Sequence, residues 1–307
     1  MAVGGPITTG AHPKLLWPGI RSVWGQVFNE HPTEYTDLVD VQSSTQAYEE
    51  EVEVTGFGLA QVKPEGAPGF YDGEVQGNVA RYTHIAYSLG YIVTYEELQD
   101  NLYETVSSRR AKANAVSVNQ TVENLVANVY NRAFTSGYTY ADGRVLIDTA
   151  HPSSTGGTQS NALSPAADLS EAALEDLTIQ IMGFQSQRGL LYSFLPVSLH
   201  VARQEWYNAN RILKSVLQPD TTSNNINVLK ATNAIPKGVK MNHYFTNAHA
   251  WFLRTNAMNG LQMFWRNQPS LEQDNDFDTK NAKALCYFRM SVGATDTVRC
   301  IAGSNGP

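Results

Sequence analysis

The sequence is short of the residues that most active sites, metal centres and disulfide frameworks require. Its 307 residues include two cysteines, Cys286 and Cys300, whose spacing matches no metal or redox motif. We predict that both are small buried residues of a protein from a reducing compartment. The seven histidines are dispersed, and no Walker, HExxH or CxxC motif is present. The sequence therefore predicts neither a metal nor a cofactor.

Basic charge and long apolar runs are also scarce. The chain has 22 Lys and Arg against 29 Asp and Glu, a net charge of −7, which argues against tight binding of nucleic acid. It has no run of eighteen apolar residues and no basic, apolar start, so we expect neither a membrane span nor a secretory signal. At 42% hydrophobic and 17% charged residues, the composition is that of a folded protein.

One segment invites a catalytic interpretation. Asp148 and His151 are an acid and a base close in sequence, and Ser153 or Ser154 could serve as nucleophile. However, catalytic triads are assembled from distant segments, and no Gly-x-Ser-x-Gly elbow exists here. We interpret the segment as a loop and keep a soluble hydrolase as a remote alternative.

Residues 48–62 alternate at period two, with valines on one side and carboxylates on the other. Residues 85–93 repeat the pattern, so we interpret them as the return limb of a β-ribbon whose turn is the Gly- and Pro-rich stretch 63–73. A two-stranded ribbon is marginal in water, so it must rest on something else. The carboxylates favour a solvated strand face, with a divalent-ion site as the alternative.

A capped helix of about 40 residues follows the ribbon. Thr94 and Glu97 form a capping box, and Gly137 can end the helix, which would be ~60 Å long unless polar residues at Asn101, Ser107 and Ser108 interrupt it. Before the ribbon, spacing predicts a short helix over 19–29 in an arm that packs on its own subunit or on a neighbour. After the long helix, a helix capped by Ser170, a strand ending at Val201 and C-terminal strands indicate an α+β fold.

This order of parts resembles the HK97-type major capsid proteins of tailed phages, especially the Mu-like branch. The likeness is carried by three parts of the sequence. Residues 82–98 are similar to that family's passage from extended loop into spine helix, and residues 195–213 to the strand and helix of its axial domain. Residues 279–293 and 301–305 are similar to its last peripheral-domain strand and its tail. The resemblance extends over nearly the whole chain, although no single motif is as specific as a metal signature.

The resemblance implies an HK97-type α+β capsid fold and a division into domains. Residues 1–47 would be an N-terminal arm and 48–83 an extended loop lying across a neighbouring subunit. Residues 84–137 and 250–307 would form a peripheral domain with the spine helix, and 138–249 an axial domain.

The resemblance also implies a function and partners. It implies a structural protein, not an enzyme, that assembles in the host cytoplasm into pentamers and hexamers of an icosahedral virion shell around double-stranded DNA. The DNA would be contacted weakly and without sequence specificity. Because the sequence begins at the arm, we expect a separate scaffolding protein or a missing precursor segment, together with a portal. A decoration protein on the shell is left open. The alternative within this fold is an encapsulin-type compartment that holds a cargo enzyme.

The basic cluster Arg109, Arg110 and Lys112 has two readings, a solvated helix face or an ion-pairing surface between subunits, with a nucleic-acid contact as a lesser alternative. We predict that it meets the acidic loop of a neighbour. The candidate inter-subunit contacts are Glu49, Glu50, Glu51, Glu53, Lys63, Phe70, Tyr71, Asp72, Arg109, Arg110 and Lys112. Some members of the family crosslink a loop lysine, but no acid is placed beside Lys63 to catalyse that reaction.

Overall fold

The computed structural model of the chain describes residues 13–99, 103–153, 156–217 and 225–306. The helices are α1 (Pro13–Glu30), α2 (Tyr35–Leu38), α3 (Tyr95–Gln99), α4 (Tyr103–Asn131), α5 (Glu171–Met182), α6 (Trp206–Lys214) and α7 (Val228–Ala231). The strands are β1 (Asp40–Ser43), β2 (Tyr48–Val54), β3 (Gln76–Thr83), β4 (Ile85–Val93), β5 (His151–Pro152), β6 (Thr158–Gln159), β7 (Pro196–Ala202), β8 (Val239–Asn242), β9 (Trp251–Thr255), β10 (Leu261–Asn275), β11 (Ala282–Ala294) and β12 (Ile301–Ser304).

These elements form two compact units, each assembled from separate segments. The described residues of the first unit fall within 13–34, 84–124 and 265–291, and those of the second fall within 35–83, 125–264 and 292–306. The four-stranded sheets have the orders β1-β10-β11-β4 and β12-β9-β7-β8, and β2-β3 and β5-β6 form two-stranded pairs. The predicted α+β class is confirmed.

In the first unit, α1 packs on α4 of its own subunit. The indole Nε1 of Trp24 donates to Asn114 Oδ1 at 3.0 Å, and Asn114 Nδ2 donates to the carbonyl of Leu89 on β4 at 3.0 Å. Trp24 is buried and stacks on Phe28. One buried asparagine thus joins helix, helix and strand, and at Trp24 the arm packs on its own subunit.

The capping box predicted for the start of the long helix is half formed, and it lies at the start of the short helix α3. Thr94 Oγ1 accepts from the backbone N–H of Glu97 at 3.4 Å. The Glu97 carboxylate is bound by both terminal nitrogens of Arg110, at 2.9 and 2.8 Å. Asn101 lies outside the described residues, between α3 and α4, whereas Ser107 and Ser108 lie within α4. At 29 residues, α4 is ~44 Å long, shorter than predicted.

The second unit buries its core between the sheet β12-β9-β7-β8 and the helices α5 and α6. Ser170 caps α5 as predicted, its hydroxyl accepting from the backbone N–H of Ala173 at 3.2 Å. The largest fully buried side chains of this core are Leu174, Leu177, Ile181, Leu199, Trp251 and Leu253. Parallel pairing of β7 with β8 and antiparallel pairing of β7 with β9 place the apolar strands at the centre.

The prediction for the return limb of the ribbon was wrong. Residues 76–83, as β3, pair with β2, whereas β4 (85–93) pairs along its whole length with β11. The first limb is also shorter than predicted, because the ladder stops at Val54 and Gly56 adopts φ +68°. Periodicity correctly identified strands at β2 and at β4. It did not identify their partners, because strand pairing is non-local and β4 pairs with the longer strand β11.

The segment 250–307, predicted to accompany the spine helix throughout, is divided between the units. Residues 265–291 lie with the first unit, but β9 and β12 pair with each other and continue the sheet of β7 and β8 in the second. β9 and β12 are almost entirely buried, and they lie in the sheet that forms the core of the second unit. The assignment of peripheral and axial domains stays a prediction.

Helix α5 offers a matched pair of substitutions. Leu177→Ala removes a fully buried side chain and should lower the free energy of unfolding by about 2–5 kcal/mol, because a cavity remains. Ile179→Ala, on the exposed face of the same helix, should change it by about 0.5 kcal/mol or less. Denaturant unfolding of unassembled subunits measures both, and equal effects would contradict this packing of α5.

Candidate assembly surface of the extended loop

Strands β2 and β3 form the root of an extended loop, residues 48–83. Their antiparallel register sets Glu50 opposite Arg81 and Val52 opposite Val79. The chain then continues to residue 75 without regular strand, closed at its start by Thr55, whose N–H donates to Val75 O at 3.0 Å and whose hydroxyl accepts from Val75 N–H at 3.0 Å. The paired strands β2 and β3 form a ribbon. The irregular residues 57–75 beyond this closure are called the arm from here on, and they are distinct from the N-terminal arm, residues 1–47.

The faces of β2 are inverted relative to an ordinary amphipathic strand. Its inner face carries the partly buried carboxylates of Glu49, Glu51 and Glu53, and its outer face carries exposed Val52 and Val54. Glu49, Glu51 and Glu53 therefore do not form the solvated strand face that was predicted, because this face packs on other parts of the second unit, to which β2 itself belongs. Among the described residues, no cluster of three His, Cys, Asp or Glu side chains is arranged to hold a metal ion.

The inner carboxylates are bound one after another by the body of the second unit. Glu49 accepts from Ser44 Oγ at 2.5 Å. Glu51 Oε2 accepts from Gln262 Nε2 at 2.9 Å and from Thr295 Oγ1 at 2.7 Å, and Thr295 also contacts the hydroxyl of buried Tyr82 at 2.6 Å. Burial raises the pKa of Tyr82 well above its usual range. The contacts of Glu51 thus join the loop root to β10 and to the segment between β11 and β12.

Glu53 forms the strongest of these anchors. Its Oε1 accepts from Arg299 at 2.7 Å and from Gln187 Nε2 at 2.7 Å, while Arg299 Nε binds Asp296 at 2.7 Å. Burial by itself would lower the pKa of Arg299, but the Asp296 and Glu53 carboxylates outweigh it and raise that pKa. One guanidinium between two carboxylates, all of them mostly buried, fixes the loop root electrostatically.

The outer face and the arm expose their apolar groups. From 57 to 75 every residue except Ala67 is exposed. Val62 and Tyr71 keep 95% and 92% of their surface in solvent. The exposed large apolar residues of the loop are Tyr48, Val52, Val54, Phe57, Leu59, Val62, Phe70, Tyr71, Val75 and Val79. This concentration exceeds the scattered exposure of a monomer surface and is typical of an interface.

The residues predicted to contact a neighbouring subunit differ in exposure and in their contacts within their own subunit. Lys63, Phe70 and Tyr71 are exposed on the arm, and Glu50 pairs with Arg81 at 3.6 Å on the outer face. Asp72, in contrast, is bound by Arg188 of its own subunit. These residues remain predicted contacts between subunits.

The basic cluster on α4 is split by the fold. Arg110 is engaged by Glu97 and also donates to the carbonyl of Ile92 at 3.3 Å. Arg109 and Lys112 are exposed. Arg110 therefore links α4 to α3 and to the end of β4 within its own subunit, whereas Arg109 and Lys112 present their charge outward.

The segment interpreted as a loop, with a hydrolase as the remote alternative, contributes to a buried structural cluster. His151 is fully buried, with Nδ1 2.6 Å from Asp142 Oδ2 and Nε2 3.1 Å from Asn161 Oδ1. Asp148 is not its partner but lies 3.7 Å from Arg144, and Ser153 Oγ donates to Gln187. Ser154 lies outside the described residues. Both ring nitrogens of His151 are occupied, so the arrangement supplies no nucleophile–base pair.

Asn161 explains why this cluster exists. Its Nδ2 donates to the carbonyls of Leu146, Thr297 and Ile301 at 2.8, 2.7 and 3.1 Å. Burial by itself would raise the pKa of Asp142, but hydrogen bonds from His151, the Arg144 backbone and Thr297 lower it. The cluster satisfies buried polar groups where the C-terminal segment crosses the second unit.

The two cysteines are buried and unpaired, as predicted. Burial raises the pKa of Cys286 to about 11 and that of Cys300 well above its usual value, so both are inert thiols. Among the described helices, none combines the length and apolar character needed to span a bilayer.

The fold and the family of the chain are recognisable by comparison. Residues 79–302 match the family model described as phage capsid protein. The chain belongs to the phage capsid protein family. No protein of curated function gave a significant sequence match.

Solved structures of the same fold come from several particles. The procapsid protein of bacteriophage JBD30 is 15% identical, with 97% of this chain and 76% of that one covered at a TM-score of 0.51. The capsid of Ralstonia phage GP4 is 9% identical, covering 87% and 86% at 0.55. A virus-like particle from Pyrococcus furiosus is 12% identical, covering 94% and 98% at 0.53.

Together, family and fold confirm the prediction of an HK97-type major capsid protein of a tailed phage. The Pyrococcus furiosus particle shares the fold to the same extent, so fold alone does not separate a phage head from another shell. The family match decides in favour of the phage. A capsid protein is a structural component, in agreement with the prediction that the chain is not an enzyme.

The loop root gives a test of the anchoring. Arg299→Met should destabilise this phage capsid protein by about 3 kcal/mol, because Glu53 and Asp296 would be left close together without a cation. Lys240→Met breaks an exposed pair with Asp37 in the same unit and should cost about 0.5 kcal/mol. Denaturant unfolding measures both, and hydrogen exchange should rise at β2 amides only in the first variant. Similar costs for the two would argue against the anchor.

Proposed function

We propose that this capsid protein assembles into pentamers and hexamers of an icosahedral shell enclosing double-stranded DNA, with each extended loop lying across a neighbouring copy. The observation that carries the proposal is the inverted β2, whose carboxylates face its own subunit while its valines face outward. A strand built in this way has its polar side satisfied and its apolar side uncovered. Only a second molecule can bury that side.

The identity of that second molecule follows from symmetry and charge. A shell of identical chains gives each loop the same neighbour, and such head-to-tail contacts close into rings. The loop carries Glu50, Glu65 and Glu74 on exposed positions, so it fits a basic surface. The exposed Arg109 and Lys112 on α4 offer such a surface on the next copy.

Further partners belong to the same proposal. A scaffolding protein would guide assembly in the host cytoplasm, a portal would occupy one vertex, and a decoration protein could bind the outside. The net charge of −7 suits a wall that contacts packaged DNA weakly and without sequence preference. Residues 84–137 and 250–307 would form the peripheral domain and residues 138–249 the axial domain, with residues 1–47 as the N-terminal arm.

The similarity to a virus-like particle from Pyrococcus furiosus makes a cargo-holding compartment the second candidate. Mass spectrometry and nucleic-acid staining of purified particles discriminate the two. DNA together with a portal supports the phage shell, whereas an enclosed enzyme without DNA would replace it.

The outer face of the ribbon provides the first test of assembly. The double variant Val52→Thr/Val79→Thr keeps side-chain shape and strand preference but removes apolar surface at an exposed cross-strand pair. Shell yield should fall several-fold near the threshold concentration, measured by sedimentation, while subunit unfolding stays unchanged. Thr83→Val, an added apolar group on the same face, is the control and should assemble normally. Undiminished assembly of the double variant would exclude this face from the interface.

Spine-helix charge gives the second test. Arg109→Glu/Lys112→Glu should impair assembly through repulsion of the acidic loop, and this effect should weaken at high salt. The subunit should remain folded, since neither residue is buried. Arg110→Ala is the contrasting variant, because it should loosen the contact between α4 and Glu97 in each subunit. Normal assembly of the double variant at low salt would reject the pairing with the loop.

A further inference from the structure

A single tight turn, Ser186–Leu190, holds the extended loop of its own subunit at two points. The turn is closed by Ser186, whose N–H donates to Leu190 O at 2.7 Å and whose hydroxyl accepts from the N–H groups of Arg188 and Leu190 at 3.2 and 3.1 Å. Gly189 adopts φ +75°, which an L side chain would strain. Ser186 and Gln187 are buried, so the turn is a firm support.

The first contact is at the loop root. Gln187 Nε2 donates to Glu53 Oε1 at 2.7 Å, and Ser153 Oγ donates to Gln187 Oε1 at 3.0 Å, which orients the amide. Glu53 is the same carboxylate that Arg299 binds. The turn therefore meets the loop where its position is most strongly determined.

The second contact lies beyond the closure of the ribbon, on the irregular arm. Arg188 Nη1 donates to both carboxylate oxygens of Asp72, at 3.2 and 3.1 Å, and Nη2 donates to the Gly73 carbonyl. Asp72 also accepts from the N–H of Gly58 at 2.8 Å and of Gly73 at 2.9 Å. Asp72 thus joins both limbs of the arm, and Arg188 attaches this junction to the body.

We infer that the turn Ser186–Leu190 is a bracket that sets the direction of the arm in the unassembled subunit, with Arg188 as the positioning residue. With the contact at Glu53 alone, the arm could rotate about the loop root. The second contact, at Asp72, fixes its direction. The arm between 57 and 75 is exposed and has no regular strand, so no ladder would restore its direction if Arg188 were lost. Its consequence for shells rests on the proposed function, because the direction of the arm decides how it meets a neighbour.

The bracket should persist through mild acidification. Hydrogen bonds from Gly58 and Gly73, with a further contribution from Arg188, lower the pKa of Asp72 below its ordinary 3.8. A depressed carboxyl pKa stabilises the folded contact above 3.8, and that stabilisation is lost as pH falls below it. The bracket should therefore hold at pH 5 and release only below about pH 4, while high salt weakens it at any pH.

Limited chymotrypsin digestion of unassembled subunits tests the bracket directly. Phe70 and Tyr71 are exposed cleavage sites beside Asp72. Arg188→Ala should accelerate cleavage there several-fold without changing the unfolding midpoint. Arg188→Lys should be intermediate, since a lysine cannot reach the carboxylate and the carbonyl with a planar fork. Arg203→Ala, an exposed arginine of the same unit, is the control and should match the wild type.

The diameter of assembled shells provides a second measurement. Arg188→Ala subunits should give shells of more variable diameter by electron microscopy, whereas Arg203→Ala shells should be uniform. An unchanged cleavage rate in Arg188→Ala would overturn the bracket, whatever the shells do. If wild-type subunits form no shells, the proposed function fails, but the digestion still decides whether Arg188 positions the arm.

Discussion

The binding of carboxylates on the inner face of β2 is the constraint on which the rest depends. A carboxylate loses free energy when it is removed from water unless it gains hydrogen-bond or ion-pair partners, and those partners must lie in a particular geometry. Glu51 and Glu53 therefore have one favourable arrangement, facing Thr295 and Arg299. A strand has only two faces, and committing the polar one to the subunit leaves the valines in water. The exposed apolar surface of the loop is thus a consequence of how its root is held.

The same contacts tie the loop to the end of the chain. Arg299, Thr295 and Asp296 follow β11 and precede β12, and Asn161 binds carbonyls of Thr297 and Ile301 in this region. The buried His151 belongs to this framework, since its ring contacts Asp142 and Asn161. The residues around His151, which resemble a catalytic group in the sequence, instead supply hydrogen bonds to buried polar groups where the C-terminal segment crosses the second unit. This cluster supports the base of the assembly surface.

The fold tolerates wide divergence, because solved capsid neighbours share only 9–15% identity with this chain. Most of the architecture rests on apolar patterning that many sequences satisfy. The loop anchors are different, since a bidentate or bridging contact needs particular side chains at particular positions. Details such as Arg188 on its tight turn therefore depend on the identity of single residues in this chain.

Local order was predictable from the sequence because its causes are local. Ser170 before an apolar helical run sets the start of α5, Thr94 caps the start of α3, and period-two alternation marks β2 and β4 as strands. Alternation distinguishes two faces without saying which is buried, and it does not name the partner strand. Tertiary contacts determine both the buried face and the partner strand. Arg299 and Thr295 bind carboxylates of β2 on its inner face, and β4 pairs with β11. These contacts join residues far apart in the chain, and so no local pattern records them.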